Sequence, residues 1–153
     1  MRKILDDGIH FTSHLDGNTY KLTPEKSILI QEKLNSTISM VLDECTEYPA
    51  SYKRSKDSMN LSIEWAIRCK KKFKKRNGYG IFGIIQGGMY NDLRKFCYNE
   101  LEKINFDGYA LGGLSVGESH KEMINIVENT VKIINYNKPR YLMGVGRPVD
   151  IFE

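Results

Sequence analysis

Ile81-Phe82-Gly83-Ile84-Ile85-Gln86-Gly87-Gly88 is an apolar run that stops abruptly at an amide side chain and two glycines. A short apolar run bounded by turn residues reads as a strand. The same grammar recurs on either side. Ile38-Ser39-Met40-Val41-Leu42 stops at Asp43-Glu44-Cys45, and Tyr109-Ala110-Leu111 stops at Gly112-Gly113-Leu114. α/β enzymes place their chemistry where strands end and loops begin, so the tails of these three runs form the candidate site.

Between the runs the period changes from strand to helix. The spacing predicts helices near 56–75, 91–104 and 119–135, and strands starting near 38, 81, 108 and 140. Apolar stripes run along the second and third helices through Leu93, Phe96, Cys97, Leu101 and Ile104, then Met123, Val127, Thr130, Val131 and Ile134. Ser119-His120-Lys121-Glu122 has the S-x-x-E form of a capping box, which starts the last helix directly after the glycine-rich loop. Ahead of these units, Gly8–Thr12 and Thr19–Leu22 alternate around Asp16-Gly17-Asn18, a hairpin pattern. Thr23-Pro24-Glu25 then opens a helix with a cap residue, a proline at its first position and an acid in its first turn.

The fold class is therefore α/β, with about four βα units preceded by a β-hairpin. Such a series is half of a (β/α)8 barrel, which takes about 250 residues, or else a small doubly wound sheet. The terminal Gly146-Arg147-Pro148-Val149-Asp150-Ile151-Phe152-Glu153 reads as the opening of another helix, which favours a partial chain.

Composition sets limits. At 153 residues, 41% hydrophobic and 27% charged, the chain suits one globular domain and neither disorder nor a fibrous class. No apolar stretch reaches the roughly 20 residues that span a bilayer, and the start lacks a signal-peptide core, so a cytoplasmic address with no membrane partner is expected. Cys45, Cys69 and Cys97 are widely spaced, with no paired motif or flanking histidines that suggest a metal, and read as reduced thiols. Among the histidines, His10, His14 and His120 have no spacing that suggests a relay. The net charge of +4 permits a polyanionic partner without requiring one. Lys70-Lys71-Lys72-Phe73-Lys74-Lys75-Arg76 reads first as a solvated helix end and second as a phosphate-contacting patch.

Typed by hydrogen bonding, the strand tails suit a heterocycle with adjacent donors beside a carbonyl. A carboxylate such as Asp43 accepts two hydrogen bonds at once, and the Watson–Crick edge of guanine offers an N–H and an amino group side by side. The neighbouring carbonyl needs donors, which the Gln86 amide and a backbone N–H at Gly113 supply, with glycine allowing close approach. Glu118 and the Leu114 carbonyl remain as acceptors for an amine substituent, and Met143 could cover a ring face. The chain has no Ser–His–Asp set, P-loop or dinucleotide fingerprint.

Several segments carry a family resemblance: Ser13-His14-Leu15-Asp16-Gly17, Asp43-Glu44-Cys45-Thr46 with Tyr48-Pro49-Ala50, Gln86-Gly87, Phe106-Asp107-Gly108-Tyr109-Ala110, Gly112-Gly113-Leu114, and Tyr141-Leu142-Met143-Gly144-Val145-Gly146. Together they closely resemble tRNA-guanine transglycosylase, in family order over almost the whole chain. The resemblance implies a TIM-type (β/α)8 barrel, of which residues 1–153 are the central part. It also implies exchange of guanine at the tRNA wobble position for a 7-deazaguanine base on the way to queuosine. By position it implies that Asp43 binds the purine edge, Gln86 and Gly113 its carbonyl, Leu114 and Glu118 an aminomethyl group, and that Met143 stacks on the ring, with Cys45 and Gly112 also in the base site.

Cys45 and Val116 resemble the bacterial pattern, which implies preQ1 rather than the bulkier queuine. The family's two catalytic aspartates and its zinc ligands have no counterpart at matching positions, so the resemblance implies no catalytic residue and no cofactor in this segment. Expected partners are tRNA, guanine or preQ1, and a complementary fragment or a second copy that covers open sheet edges. Two other readings are a non-catalytic base- or tRNA-binding subunit or inactive remnant, and an unrelated phosphate-binding domain using Gly112-Gly113 and the next helix N-terminus. The last leaves Asp43 and Glu118 repelling their ligand.

Overall fold

A computed structural model describes residues 2–145. The helix opening anticipated at 146–153, and Gly146 of the last motif, lie outside the described residues. Three antiparallel strands come first: β1 Arg2–Leu5, β2 Gly8–Thr12 and β3 Thr19–Leu22, in the order β1-β2-β3. The hairpin of β2 and β3 has the anticipated bounds, while β1 is an additional strand paired with β2 from Arg2 opposite Phe11 to Leu5 opposite Gly8. Helix α1, Pro24–Lys33, follows with Thr23 as N-cap, its hydroxyl accepting from the Lys26 N–H, and Pro24 in the first turn.

Four parallel strands then alternate with helices: β4 Ile38–Met40, α2 Tyr52–Lys72, β5 Gly80–Ile85, α3 Asn91–Ile104, β6 Gly108–Leu111, α4 His120–Val131 and β7 Arg140–Leu142. Their order in the sheet is β4-β5-β6-β7, sequential throughout. Right-handed crossovers between sequential parallel neighbours put every connecting helix on one face, whereas a doubly wound sheet needs a reversal of strand order. No reversal occurs among these strands. Helices α1 to α4 accordingly pack each against the next in one layer.

The register shows which face each residue takes. Ser39, Ile81, Ile85, Tyr109 and Leu111 face the helices and are at most 3% exposed. They join Met59, Cys69, Leu93, Cys97, Leu101 and Phe106 in one core. The opposite face carries Ile38, Met40, Phe82 and Tyr141, with Ile38 and Tyr141 each 51% exposed beside a groove of about 450 Å³. Two glycines fit this packing. A Cβ on Gly83 would stand 2.8 Å from the Phe106 ring on the helix side, and one on Gly108 would stand 2.4 Å from the Phe82 ring on the open side.

Side chains tie the layers together. Trp65 is fully buried and its Nε1 donates to the Asp6 carbonyl at 2.8 Å, fastening the β1–β2 turn to α2. Gln31 on α1 pairs with β4 like a strand, accepting from Met40 N at 2.8 Å and donating to Met40 O at 2.9 Å. Backbone groups at the β4 edge are thus satisfied by a side chain, where unpaired buried groups would be costly.

Differences from the sequence reading are local. α2 starts at Tyr52 rather than 56 because Ser51 caps it, accepting from Arg54 N at 3.2 Å, and it ends at Lys72 rather than 75. α4 ends at Val131, short of 135. Phe96, assigned to the buried stripe of α3, is 49% exposed, and Arg94 and Tyr98 are buried on that helix instead. Within the basic run, Lys70 donates to the Asn105 carbonyl at 2.7 Å, Lys74 lies 4.0 Å from Glu32, and Arg76 stacks on Tyr79 at 3.8 Å, which supports a structural helix end.

Candidate functional site

The carboxyl ends of β4, β5, β6 and β7 lie side by side, so loops from distant parts of the chain converge there. Asp43 leaves β4 and Gln86 leaves β5. Gln86 Nε2 donates to Asp43 Oδ2 at 2.6 Å. Burial raises the Asp43 carboxyl above the usual carboxylate range, and the Gln86 amide acts in the opposite sense. Gln86 is 1% exposed and its Oε1, buried, has no hydrogen-bond partner among the described residues. Such an orphan acceptor is costly unless something else meets it.

Gly112 and Gly113 follow β6 and close over this amide. A Cβ on Gly112 would lie 2.6 Å from Gln86 Nε2, and one on Gly113, whose φ is +64°, would lie 2.7 Å from Gln86 Oε1. Only glycine lets the backbone approach this closely. Leu114 is buried, and beyond it Glu118 folds back on its own loop, accepting from Ser115 N at 2.6 Å and Val116 N at 2.9 Å. Met143 is partly buried at the end of β7, where its N–H donates to the Leu111 carbonyl at 3.3 Å.

The thiols divide into two kinds. Cys45 is exposed beside Asp43. The buried thiol of Cys69 accepts from Leu42 N at 3.3 Å, and that of Cys97 from Gln86 N at 3.4 Å, so each steadies a strand tail. Burial pushes Cys69 up to about 11 and Cys97 up to about 12.

Beside the Asp43–Gln86 pair, the loops after β4, β5 and β6 enclose a cleft of about 210 Å³ whose wall includes Thr46, Tyr48, Ser55, Tyr90, Gly113 and Val116. The pair itself does not line that cleft, and Gly113 is the boundary between them. Tyr48 donates to both carboxylate oxygens of Glu122, at 3.0 and 3.1 Å, and Glu122 completes the capping box of α4 with Ser119. The β4 loop is held from its other side by α2. Arg54 pairs with the buried Glu44, while Ser62 and Ser58 bind the Glu44 N–H and carbonyl at 2.9 and 3.0 Å.

The structure thus brings Asp43, Gln86, Gly112 and Gly113 into direct contact or close approach. Leu114, Val116, Glu118 and Met143 stand on the adjoining loops. Sequence reading missed Arg94, which is 0% exposed and binds the loops after both β5 and β6, and the Tyr48–Glu122 and Glu44–Arg54 supports. An arginine flanked by the apolar stripe residues Leu93 and Cys97 is the signal that could have revealed it.

Among the described residues no group of three or more His, Cys, Asp or Glu side chains gathers as a metal-binding set, and no helix is long and apolar enough to cross a membrane.

Fold and site define an α/β chain whose polar groups collect at the carboxyl ends of sequential parallel strands. The family model described as queuine tRNA-ribosyltransferase matches residues 1–153. A queuine tRNA-ribosyltransferase of Rickettsia typhi is 52% identical over 151 residues, 99% of this chain and 42% of that protein. One of Granulibacter bethesdensis is 50% identical over 99% of this chain and 40% of its own length. The chain belongs to the queuine tRNA-ribosyltransferase family, and it spans about two fifths of the length of these relatives.

Proposed function

We propose that this chain is the base-recognition segment of a tRNA-guanine transglycosylase, which exchanges guanine at the tRNA wobble position for preQ1 in queuosine synthesis. The observation that carries this reading is the bonded Asp43–Gln86 pair under the Gly112-Gly113 backbone. A carboxylate accepts the N–H and amino group of the purine edge. The second proton of the Gln86 amide is left to donate to the purine carbonyl, together with the Gly113 N–H. Leu114 O and Glu118 receive the aminomethyl group, Met143 covers the ring, and Gly112 and Cys45 complete the walls.

Val116, on the boundary of the adjoining cleft, limits the bulk of the incoming base and favours preQ1 over queuine. The four βα units belong to a (β/α)8 barrel. The sequential strand order and the open apolar face with Ile38 and Tyr141 support that architecture. The carboxylate that attacks the ribose anomeric carbon is supplied from outside this segment, as a nucleophile splitting one substitution into two. tRNA and a covering partner, either a complementary fragment or a second copy, complete a cytoplasmic enzyme.

Incorporation of labelled guanine into tRNA tests the reading, by this chain alone and mixed with the product of the adjacent reading frame. Exchange in the mixture supports a split transglycosylase. Absence of both guanine binding and exchange by folded protein overturns the base-recognition role.

A further inference from the structure

Arg94 is fully buried, yet every hydrogen-bond acceptor it reaches is a backbone carbonyl. Nε donates to Gly88 O at 2.8 Å, Nη1 to Ile85 O at 3.4 Å, and Nη2 to Gly112 O at 3.0 Å and Gly113 O at 3.5 Å. None of these acceptors is a carboxylate, so dipoles rather than a counter-charge hold the cation. Burial lowers its pKa to about 10, which leaves it protonated at neutral pH. An apolar residue of similar volume would often fill such a place at no loss of stability. The buried charge points to a task.

Peptide geometry defines that task. In a trans peptide the C=O and N–H point in opposite directions. The Gly112 carbonyl is turned onto the guanidinium, so the N–H of the same peptide unit, that of Gly113, is turned away from it. Among the described residues this N–H has no backbone acceptor. A hydrogen bond received at a peptide carbonyl also polarises the peptide and strengthens its N–H as a donor.

We infer that Arg94 is a positioning residue that aims and polarises the Gly113 N–H toward the carbonyl of the bound base, acting through the Gly112–Gly113 peptide. The inference rests on the base-recognition reading. It assigns the arginine to the carbonyl edge of the purine, while Asp43 holds the edge with the donors. When the glycosidic bond breaks, the electron pair passes to the departing base and its carbonyl gains negative charge, so a strengthened donor there lowers the barrier.

Calorimetric binding of guanine and of 2-aminopurine, which lacks the carbonyl and the adjacent ring N–H, separates this role from a purely structural one, because the difference at Asp43 is common to wild type and Arg94 variants and cancels in the comparison. The wild-type chain, Arg94→Met and Arg94→Lys are compared, each checked for folding by circular dichroism. The preference for guanine over 2-aminopurine is expected to fall about tenfold in Arg94→Met and to recover in part in Arg94→Lys. An equal loss for both purines overturns the inference. If Arg94→Met does not fold, amide hydrogen exchange in the wild-type chain decides: guanine must slow exchange at Gly113 and 2-aminopurine must not. Bound guanine with no protection of Gly113 sinks the Arg94 role and leaves base recognition standing. Failure of the wild-type chain to bind either purine sinks both.

Discussion

Gln86 Nε2 donates to Asp43 Oδ2 at 2.6 Å across two adjacent parallel strands, joining residues 43 positions apart in sequence. The bond holds a half-buried carboxylate at the rim of the sheet beside an amide oxygen that has no partner among the described residues. Both features cost stability unless another group meets them.

Asp43→Asn should separate recognition from folding. Because burial raises the native carboxyl pKa, the native state holds its proton to higher pH than the unfolded chain, so ionisation of Asp43 weakens the fold as pH rises through that range. Replacing it with a neutral amide removes this effect. Thermal melting at neutral pH should give an unchanged or higher Tm, while guanine affinity measured by calorimetry drops at least about tenfold.

Gly112→Ala should damage the same bond from above. The added methyl would meet Ile84 Cγ2 at 2.5 Å and Gln86 Nε2 at 2.6 Å, and both neighbours are buried. Overpacking of this kind costs about 1–3 kcal/mol. Urea denaturation should show that loss, and a crystal structure should show Gln86 displaced from Asp43. An unshifted amide would refute the steric account.

Alkylation should sort the cysteines by burial. Cys69 and Cys97 stay protonated at pH 8, given pKa values of about 11 and 12, whereas Cys45 is exposed. Mass spectrometry after brief iodoacetamide treatment should find the label on Cys45 in native protein and on all three positions after denaturation.

Acid stability should depend on Glu25. Its two oxygens accept from Arg68 at 2.7 and 2.8 Å, which lowers its pKa to about 2 from an ordinary 4.5. A carboxyl depressed in the native state adds stability above its unfolded value and loses it as pH falls toward the folded one. Both side chains are about a third exposed, so solvent screening keeps the effect modest. Glu25→Gln should flatten the decline of Tm between pH 4.5 and 2, and a curve parallel to wild type would argue against the pair.

Much of the architecture could be read before any coordinates. Thr23, Pro24 and the Ser119–Glu122 box signal helix starts through local hydrogen bonds, and the apolar runs ending at 42, 85 and 111 are visible because strand tails and turns differ in residue type. β1 escaped because Arg2-Lys3-Ile4-Leu5 has no alternation strong enough to mark a strand, and it gains its order by pairing with β2. Phe96 misled because a helical stripe is wide, and whether its edge is covered depends on the neighbouring helix.

The sequence by itself determined most of the elements, the caps at Thr23 and Ser119, and the residue types at the strand tails, since each rests on interactions within a few positions. Only the tertiary structure decided that the strands stand in sequential order without reversal, that Gln86 bonds Asp43, and that Arg94 lies beneath Gly112 and Gly113. These relationships join residues far apart in the chain. They depend on how whole strands and helices pack, and no local pattern encodes that geometry.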